Sequence, residues 1–159
     1  MGRRRLVVIG PETGRVFQPP SPTERILNRA YGLMVGLGLG LRHNYLLQVR
    51  GRKTGRTYST PVNVLELGGT RWLVAGRGRT HWVRNAEAAG EVVLSRGRRR
   101  ERCRLRPVPD AEKPEILAAY LARFRLTVQR YFPVKAGAAP AELARFADRY
   151  PVFELQPPS

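Results

Sequence analysis

Cysteine is nearly missing from this sequence: Cys103 stands alone among 159 residues. That excludes an internal disulfide framework and any multi-cysteine metal site, and it leaves Cys103 as a small, half-buried, structural strand residue. Long apolar runs are missing too. The longest, Ala30 to Leu41, falls well short of the ~20 residues that cross a bilayer. Leu6-Val7-Val8-Ile9, behind Arg3, Arg4 and Arg5, is too short for a signal-peptide core. The cytoplasm is therefore the expected location. Acids are scarce: 12 Asp and Glu stand against 29 Lys and Arg, a formal net charge of +17. Such a surface favours anionic partners (phosphorylated cofactors, nucleic acid, acidic lipid headgroups) without choosing among them, and a merely solvated arginine-rich surface has the same composition. Nucleic acid is the least expected of these, because helix-turn-helix spacing and an aromatic–basic binding signature are both absent.

What is present is enough for one ordinary domain, with apolar residues at 42%. Residues 1–21 read as a basic, Pro-rich arm, and residues 22–159 as the folded domain. A helix is expected from Pro22 to Leu41, with Ser21 as N-cap, Glu24 near the positive end of its dipole, and an oily face from Ile26 to Leu37. Gly32, Gly36 and Gly40 lie four apart on another face. Through this helix a peripheral contact with acidic membrane lipid is expected.

From Tyr45 the period changes. Tyr45–Val49, Tyr58–Leu67 and Arg71–Gly76 read as strands, the last two joined across Gly68-Gly69. His81–Ala89 reads as a short helix ended by Gly90. Glu91–Ser95 and Arg98–Arg106 form a second hairpin across Arg96-Gly97. Asp110 is the expected cap of a helix over Ala111–Val128, and a last helix, Pro140–Arg149, leads into a strand over Val152–Leu155. Antiparallel hairpins dominate and no βαβ unit repeats, which argues against a doubly wound nucleotide fold. The pattern predicts an α+β, mainly β chain: one compact barrel of about six mostly antiparallel strands with helices packed outside.

Two segments concentrate possible chemistry. In Arg50-Gly51-Arg52-Lys53-Thr54-Gly55-Arg56, glycines bracket basic side chains and a hydroxyl in a tight connection. Glycine lets backbone N–H groups approach an oxyanion, and Arg and Lys add charge-assisted bonds to phosphate. The spacing is not that of a Walker A loop, and a plain basic turn has the same composition. In Ala75-Gly76-Arg77-Gly78-Arg79-Thr80-His81-Trp82-Val83-Arg84-Asn85, glycines turn the chain into a helix whose N-terminus, with Thr80 as N-cap, offers N–H groups to an anion. Trp82 is either a ring platform or a core anchor. His81 is either a proton donor or a histidine bonded to backbone at a helix start. His43 reads as a helix-end residue. Arg98, Arg100, Arg102, Arg104 and Arg106 alternate, so on a strand they share one face opposite Glu101, Cys103 and Leu105. That row either faces water or cradles an extended anion.

Taken in order, Leu46-Leu47-x-Val49-x-Gly51-Arg52-Lys53-Thr54-Gly55-Arg56, Thr60-Pro61-Val62, and Gly76-Arg77-Gly78 with Trp82 and Asn85 resemble the deazaflavin-dependent nitroreductase family, which includes quinone and nitroimidazole reductases. The resemblance runs from Leu33 to Val134, with Phe132-Pro133-Val134 as a further small match. It implies a split β-barrel that binds coenzyme F420, an 8-hydroxy-5-deazaflavin, and transfers hydride to a small organic acceptor such as a quinone, nitro compound or enone. It implies that Arg52, Lys53, Thr54 and Arg56 hold the cofactor's phosphate and the start of its acidic tail. Thr60, Pro61 and Val62 would lie along the ring, Arg77 and Gly78 would close the site, Trp82 would wall it and Asn85 would brace it. Flavin mononucleotide (FMN) is the alternative occupant, and a non-enzymatic flavin, deazaflavin or haem-type binding barrel is the alternative function. The chain departs from the nitroimidazole-reducing members at Pro-x-Trp-Tyr-x-Asn. Here His81 and Val83 flank Trp82, and the late helix offers Tyr120 and Tyr131 alone, so the acceptor does not carry over. His81, Tyr120 and Tyr131 are the candidate proton donors, no metal site is expected, and the assembly is expected to be a monomer or homodimer.

Overall fold

A computed structural model describes residues 43–159. The arm, the first helix and its glycine face lie outside the described residues. Six strands follow: β1 (Asn44–Arg50), β2 (Thr57–Leu67), β3 (Thr70–Val74), β4 (Glu91–Arg96), β5 (Arg99–Pro107) and β6 (Val152–Gln156). They close into a barrel in the order β1-β2-β3-β6-β5-β4, every ladder antiparallel. Closure removes the exposed edges that an open sheet of this size would present.

Alternation places the core. Leu47, Val49, Val64, Leu73, Val92, Leu94, Cys103, Leu105, Phe153 and Leu155 point into the barrel and are buried. The opposite face of β2, β3 and β6 carries Leu65, Val74 and Val152, which are covered by helices. Gly68 and Gly69 make the β2–β3 connection with φ of 62° and 76°. Two successive positive φ values are what a tight two-residue hairpin requires, and side chains with a Cβ resist them.

The helices are α1 (His81–Ala89), α2 (Lys113–Arg123), α3 (Arg125–Val128) and α4 (Pro140–Ala144). Helix α1 packs on the barrel-interior cluster through Val83 and Ala86, while α2 places Ile116, Leu117, Tyr120 and Leu121 on the outer face. The expected helix over Ala111–Val128 breaks at Phe124, which turns to φ −113°, ψ 24°. That turn sets the Phe124 ring against His43 and Tyr120, at centroid distances of 4.9 and 5.1 Å. Asp110 is not the cap. It opens a 3-10 turn, and its carboxylate accepts from the buried Lys113 Nζ at 2.6 Å. The expected last helix also stops early, at Ala144, and a 3-10 turn over Ala147–Arg149 delivers Tyr150, whose hydroxyl donates to the Tyr131 carbonyl at 2.7 Å. Among the described residues no helix is long and apolar enough to cross a membrane.

Candidate functional site

The basic connection between β1 and β2 is a closed loop held by its own backbone. Gly51 N–H donates to the Arg56 carbonyl at 2.7 Å, and Gly55 N–H to the Gly51 carbonyl at 3.0 Å. Gly51 is dictated by close approach: a Cβ there would stand 2.5 Å from Tyr58 Cε2 and 2.8 Å from Thr54 Oγ1. The Thr54 hydroxyl accepts from Arg56 N–H at 3.2 Å and shares a 2.9 Å hydrogen bond with the Tyr58 hydroxyl. Thr54 therefore shapes the loop, and its hydroxyl is engaged in doing so.

Arg52 carries the link to α1. Its backbone N–H and its guanidinium Nη1 both donate to Oδ1 of the buried Asn85, at 3.1 and 2.8 Å. One amide oxygen thus fixes the loop on the helix and aims the guanidinium, whose remaining N–H donors are left for other acceptors. Several of the glycine-relieved backbone N–H groups are already engaged within the protein. The N–H groups of Gly51, Arg52, Gly55, Arg56 and Gly78 all have intramolecular partners. The side chains of Arg52, Lys53 and Arg56 are all exposed and present positive charge on this loop.

On α1, His81 is exposed and its pKa lies below the usual 6.5, first because of burial of part of the ring and then because Arg52, Arg84 and Lys53 face it. The same cations identify Arg84 as a further member of the cluster. Thr80 occupies the N-cap position without a capping bond, and its buried Oγ1 has no hydrogen-bond partner. A buried hydroxyl left unsatisfied costs about 1–3 kcal/mol. Gly78 is buried with φ 82°, its N–H on the Ala75 carbonyl at 3.0 Å. Trp82 is half-buried against the barrel-interior cluster, 6.3 Å from the Phe153 ring, so it anchors on the core.

The other end of the Gly76–Thr80 loop meets α2. A Cβ on Gly76 would lie 3.7 Å from Tyr120 and 3.8 Å from Phe132. Tyr120 is buried, and desolvation drives its phenol pKa far above the usual range, against a smaller pull from an Asn63 hydrogen bond. The Arg77 guanidinium sits 5.4 Å from the centre of the half-buried Tyr131 ring, and that of Arg130 sits 4.9 Å from it. Along β2, Thr60 and Val62 share the barrel-interior side with Leu47 and Tyr45, their cross-strand partners, whereas Pro61 and Asn63 take the opposite face. The expected ring-lining triplet therefore splits, leaving Pro61 and Asn63 on the side of Tyr120. Asn63 was not singled out from the sequence, although its parity with Pro61 was the available signal. Arg84, three residues beyond His81 on a helix, was legible in the same way.

Of the arginine row, Arg98 precedes β5 in the β4–β5 turn, and the other four lie on the outside of β5, bonded to neighbours. Arg100 donates to Gln48 at 3.0 Å, Arg102 to Glu91 at 3.0 Å, Arg104 to Gln156 at 3.2 Å, and Arg106 to Glu154 at 2.6 Å. Cys103 is fully buried rather than half-buried, and burial raises its pKa, so it is an inert core thiol. No group of metal-ligating side chains occurs among the described residues. A separate cleft of about 200 Å³, lined by Arg79, Glu87, Lys113 and Asp148 among others, contains none of the expected site residues.

Fold and loop together define a small antiparallel barrel with an exposed cationic loop pinned to α1, and a buried phenol on α2. Comparison places it further: the chain belongs to the F420H(2)-dependent quinone reductase family, whose profile matches residues 23–132. It is accordingly an oxidoreductase of the deazaflavin-dependent class, with coenzyme F420 as its cofactor. A comparison with curated proteins gives no match. Among solved structures, the chain is similar to a protein of unknown function from Agrobacterium tumefaciens, with 18% identity and a TM-score of 0.55 over 89% of this chain. It spans 60% of that protein's length. It is also similar to a domain-swapped dimer, with 23% identity and a TM-score of 0.51, over 84% of this chain and 93% of the other. An F420-H2 dependent reductase aligns at 18% identity and a TM-score of 0.48, over 72% of this chain and 95% of the other.

Proposed function

We propose that the chain reduces a small organic acceptor, a quinone foremost, with hydride from reduced F420. The observation that carries this reading is the Asn85-pinned Arg52 within the exposed Arg52–Lys53–Arg56 loop, together with membership of a family defined by that cofactor and acceptor. The donor set fits the coenzyme. Its phosphodiester and carboxylate tail call for clustered cations, and the partnerless Thr80 hydroxyl is a ready donor for a polar oxygen of a ligand. Arg52, Lys53 and Arg56 would hold the phosphate and first carboxylates, with Arg77 and Thr80 on the polar atoms between phosphate and ring. When bound in its reduced form, the coenzyme supplies the hydride, and the protein's share of the work is positioning.

Reduction of a quinone by hydride also needs a proton at oxygen. Tyr120 holds its proton at any working pH because it is buried, and with Asn63 it forms a fixed polar wall. Tyr131, half-buried under two guanidinium groups, and the exposed His81 are the groups that reach solvent and can pass a proton on. A homodimer is part of the proposal, supported by the dimeric relative of the same fold. A cytoplasmic location follows from the same reading. The test is steady-state oxidation of F420H2 by a soluble quinone. Turnover is expected with wild type and at least a tenfold loss with Tyr131→Phe at unchanged cofactor affinity. Cofactor binding without turnover on quinone, nitro or enone acceptors would show a carrier instead.

A further inference from the structure

Leu126 is 94% exposed, whereas Tyr58 and Leu67, the other large apolar side chains that reach the surface among the described residues, are 37% and 38% exposed. A single exposed leucine is ordinary. Its surroundings here are not. Leu126 stands on α3 between two buried anchors, Phe124 and Val128, and the Thr127 hydroxyl donates to the Phe124 carbonyl at 3.1 Å, so the turn is held outward. The Phe124 ring lies 4.9 Å from His43, and His43 in turn senses the charges of Arg123 and Arg96. The β1–β4 register, with Leu46 opposite Ser95, brings the start of β1 beside the β4–β5 turn. One end of the barrel therefore gathers Arg96, Arg98, Arg99 and Arg100 from that turn with Arg123 and Arg125 beside Leu126. Of the acids at this end, Glu101 is bonded to Arg71 at 2.9 Å, and Glu66 pairs across the ladder from the same Arg71. The patch is thus cationic around a protruding apolar side chain.

We propose that this end of the barrel docks on an anionic lipid bilayer, with the arginines on the headgroups and Leu126 entering the acyl boundary. Each arginine near an acidic membrane surface adds attraction that salt screens, and an apolar side chain gains only where an apolar phase is within reach. Nucleic acid would engage the arginines but offer Leu126 nothing comparable. The patch lies toward the opposite end of β1 from the Arg52 loop, so it can be tested apart from those anion-binding residues.

The test is co-sedimentation of the full chain with vesicles of phosphatidylcholine alone or mixed with phosphatidylglycerol, at low and high salt. Wild type should bind only the mixed vesicles, and less at high salt. Leu126→Ser keeps the net charge and should weaken binding about tenfold with an unchanged melting temperature. Arg98→Ser/Arg99→Ser should weaken it about thirtyfold. Lys135→Ser/Arg145→Ser, an equal loss of charge elsewhere, should weaken it less than threefold. No binding by wild type, unaltered binding by Leu126→Ser, or an equal loss in the Lys135/Arg145 control would each overturn the proposal. So would RNA binding that displaces the vesicles and ignores Leu126.

Discussion

At the scale of single residues, Asn85 does the work that decides the site. Its one carbonyl oxygen satisfies the Arg52 backbone N–H and aims the Arg52 side chain. Asn85→Ala leaves both donors without that acceptor, at a cost of about 1–3 kcal/mol in unfolding free energy. Asn85→Asp separates the two roles. A carboxylate still accepts both bonds, so stability in a denaturant titration should hold, while the charge of Arg52 is offset and affinity for F420 drops tenfold or more. Equal affinities for Asn85→Asp and wild type would mean that Arg52 does not meet the anion. Gly51→Ala is a second residue-level test: with Tyr58 2.5 Å away, the methyl must displace the ring or the loop. A melting temperature several degrees lower is expected, recovered in part by adding Tyr58→Ala.

At the scale of elements, the loop, α1 and the β5 row behave as separate electrostatic units. Arg52→Ala/Lys53→Ala should weaken F420 binding about a hundredfold, since each charge-assisted bond to phosphate contributes ~1.5–3 kcal/mol. The same variant should move the His81 titration, followed by NMR, upward toward 6.5, because two of the cations that lower it are gone and only burial and Arg84 remain. The sign in wild type follows. The folded pKa lies below the unfolded 6.5, so the unfolded chain takes the proton first, and His81 subtracts stability as pH falls below 6.5, with no effect above it. A His81 titration unchanged in the double variant would place the loop away from α1. The β5 row gives the opposite expectation: Arg102→Ser removes an exposed pair with Glu91, and such pairs contribute ~0.2–1 kcal/mol. Element identity was largely legible, because Leu47/Val49, Val64 and Cys103/Leu105 alternate and Gly68-Gly69 and Gly97 punctuate. What was hidden was long-range. Arg52 and Asn85 are 33 residues apart, and only the closed barrel brings them together. Period alone showed neither that the N–H groups of Gly51, Arg52, Gly55 and Arg56 are bonded internally nor that Phe124 breaks α2. Both follow from partners that local sequence does not contain.

At the scale of the molecule, barrel closure explains why so small a chain can be both rigid and specialised. All six strands find two neighbours, and the interior is filled by aliphatic side chains and Phe153. Excess positive charge is then distributed over the surface: an exposed loop proposed to meet a phosphorylated cofactor, and a β5 row whose Arg102, Arg104 and Arg106 bond to partners on the barrel itself. Flavin mononucleotide shares the phosphate but lacks the acidic tail, so it should engage fewer of these cations. The measurement that bears most directly on this account is a parallel titration of the purified chain with F420 and with flavin mononucleotide at moderate salt, read by ligand fluorescence. F420 should bind at least tenfold more tightly, and the preference should shrink in Arg52→Ala/Lys53→Ala. Equal affinities, or a preference for flavin mononucleotide, would contradict the account.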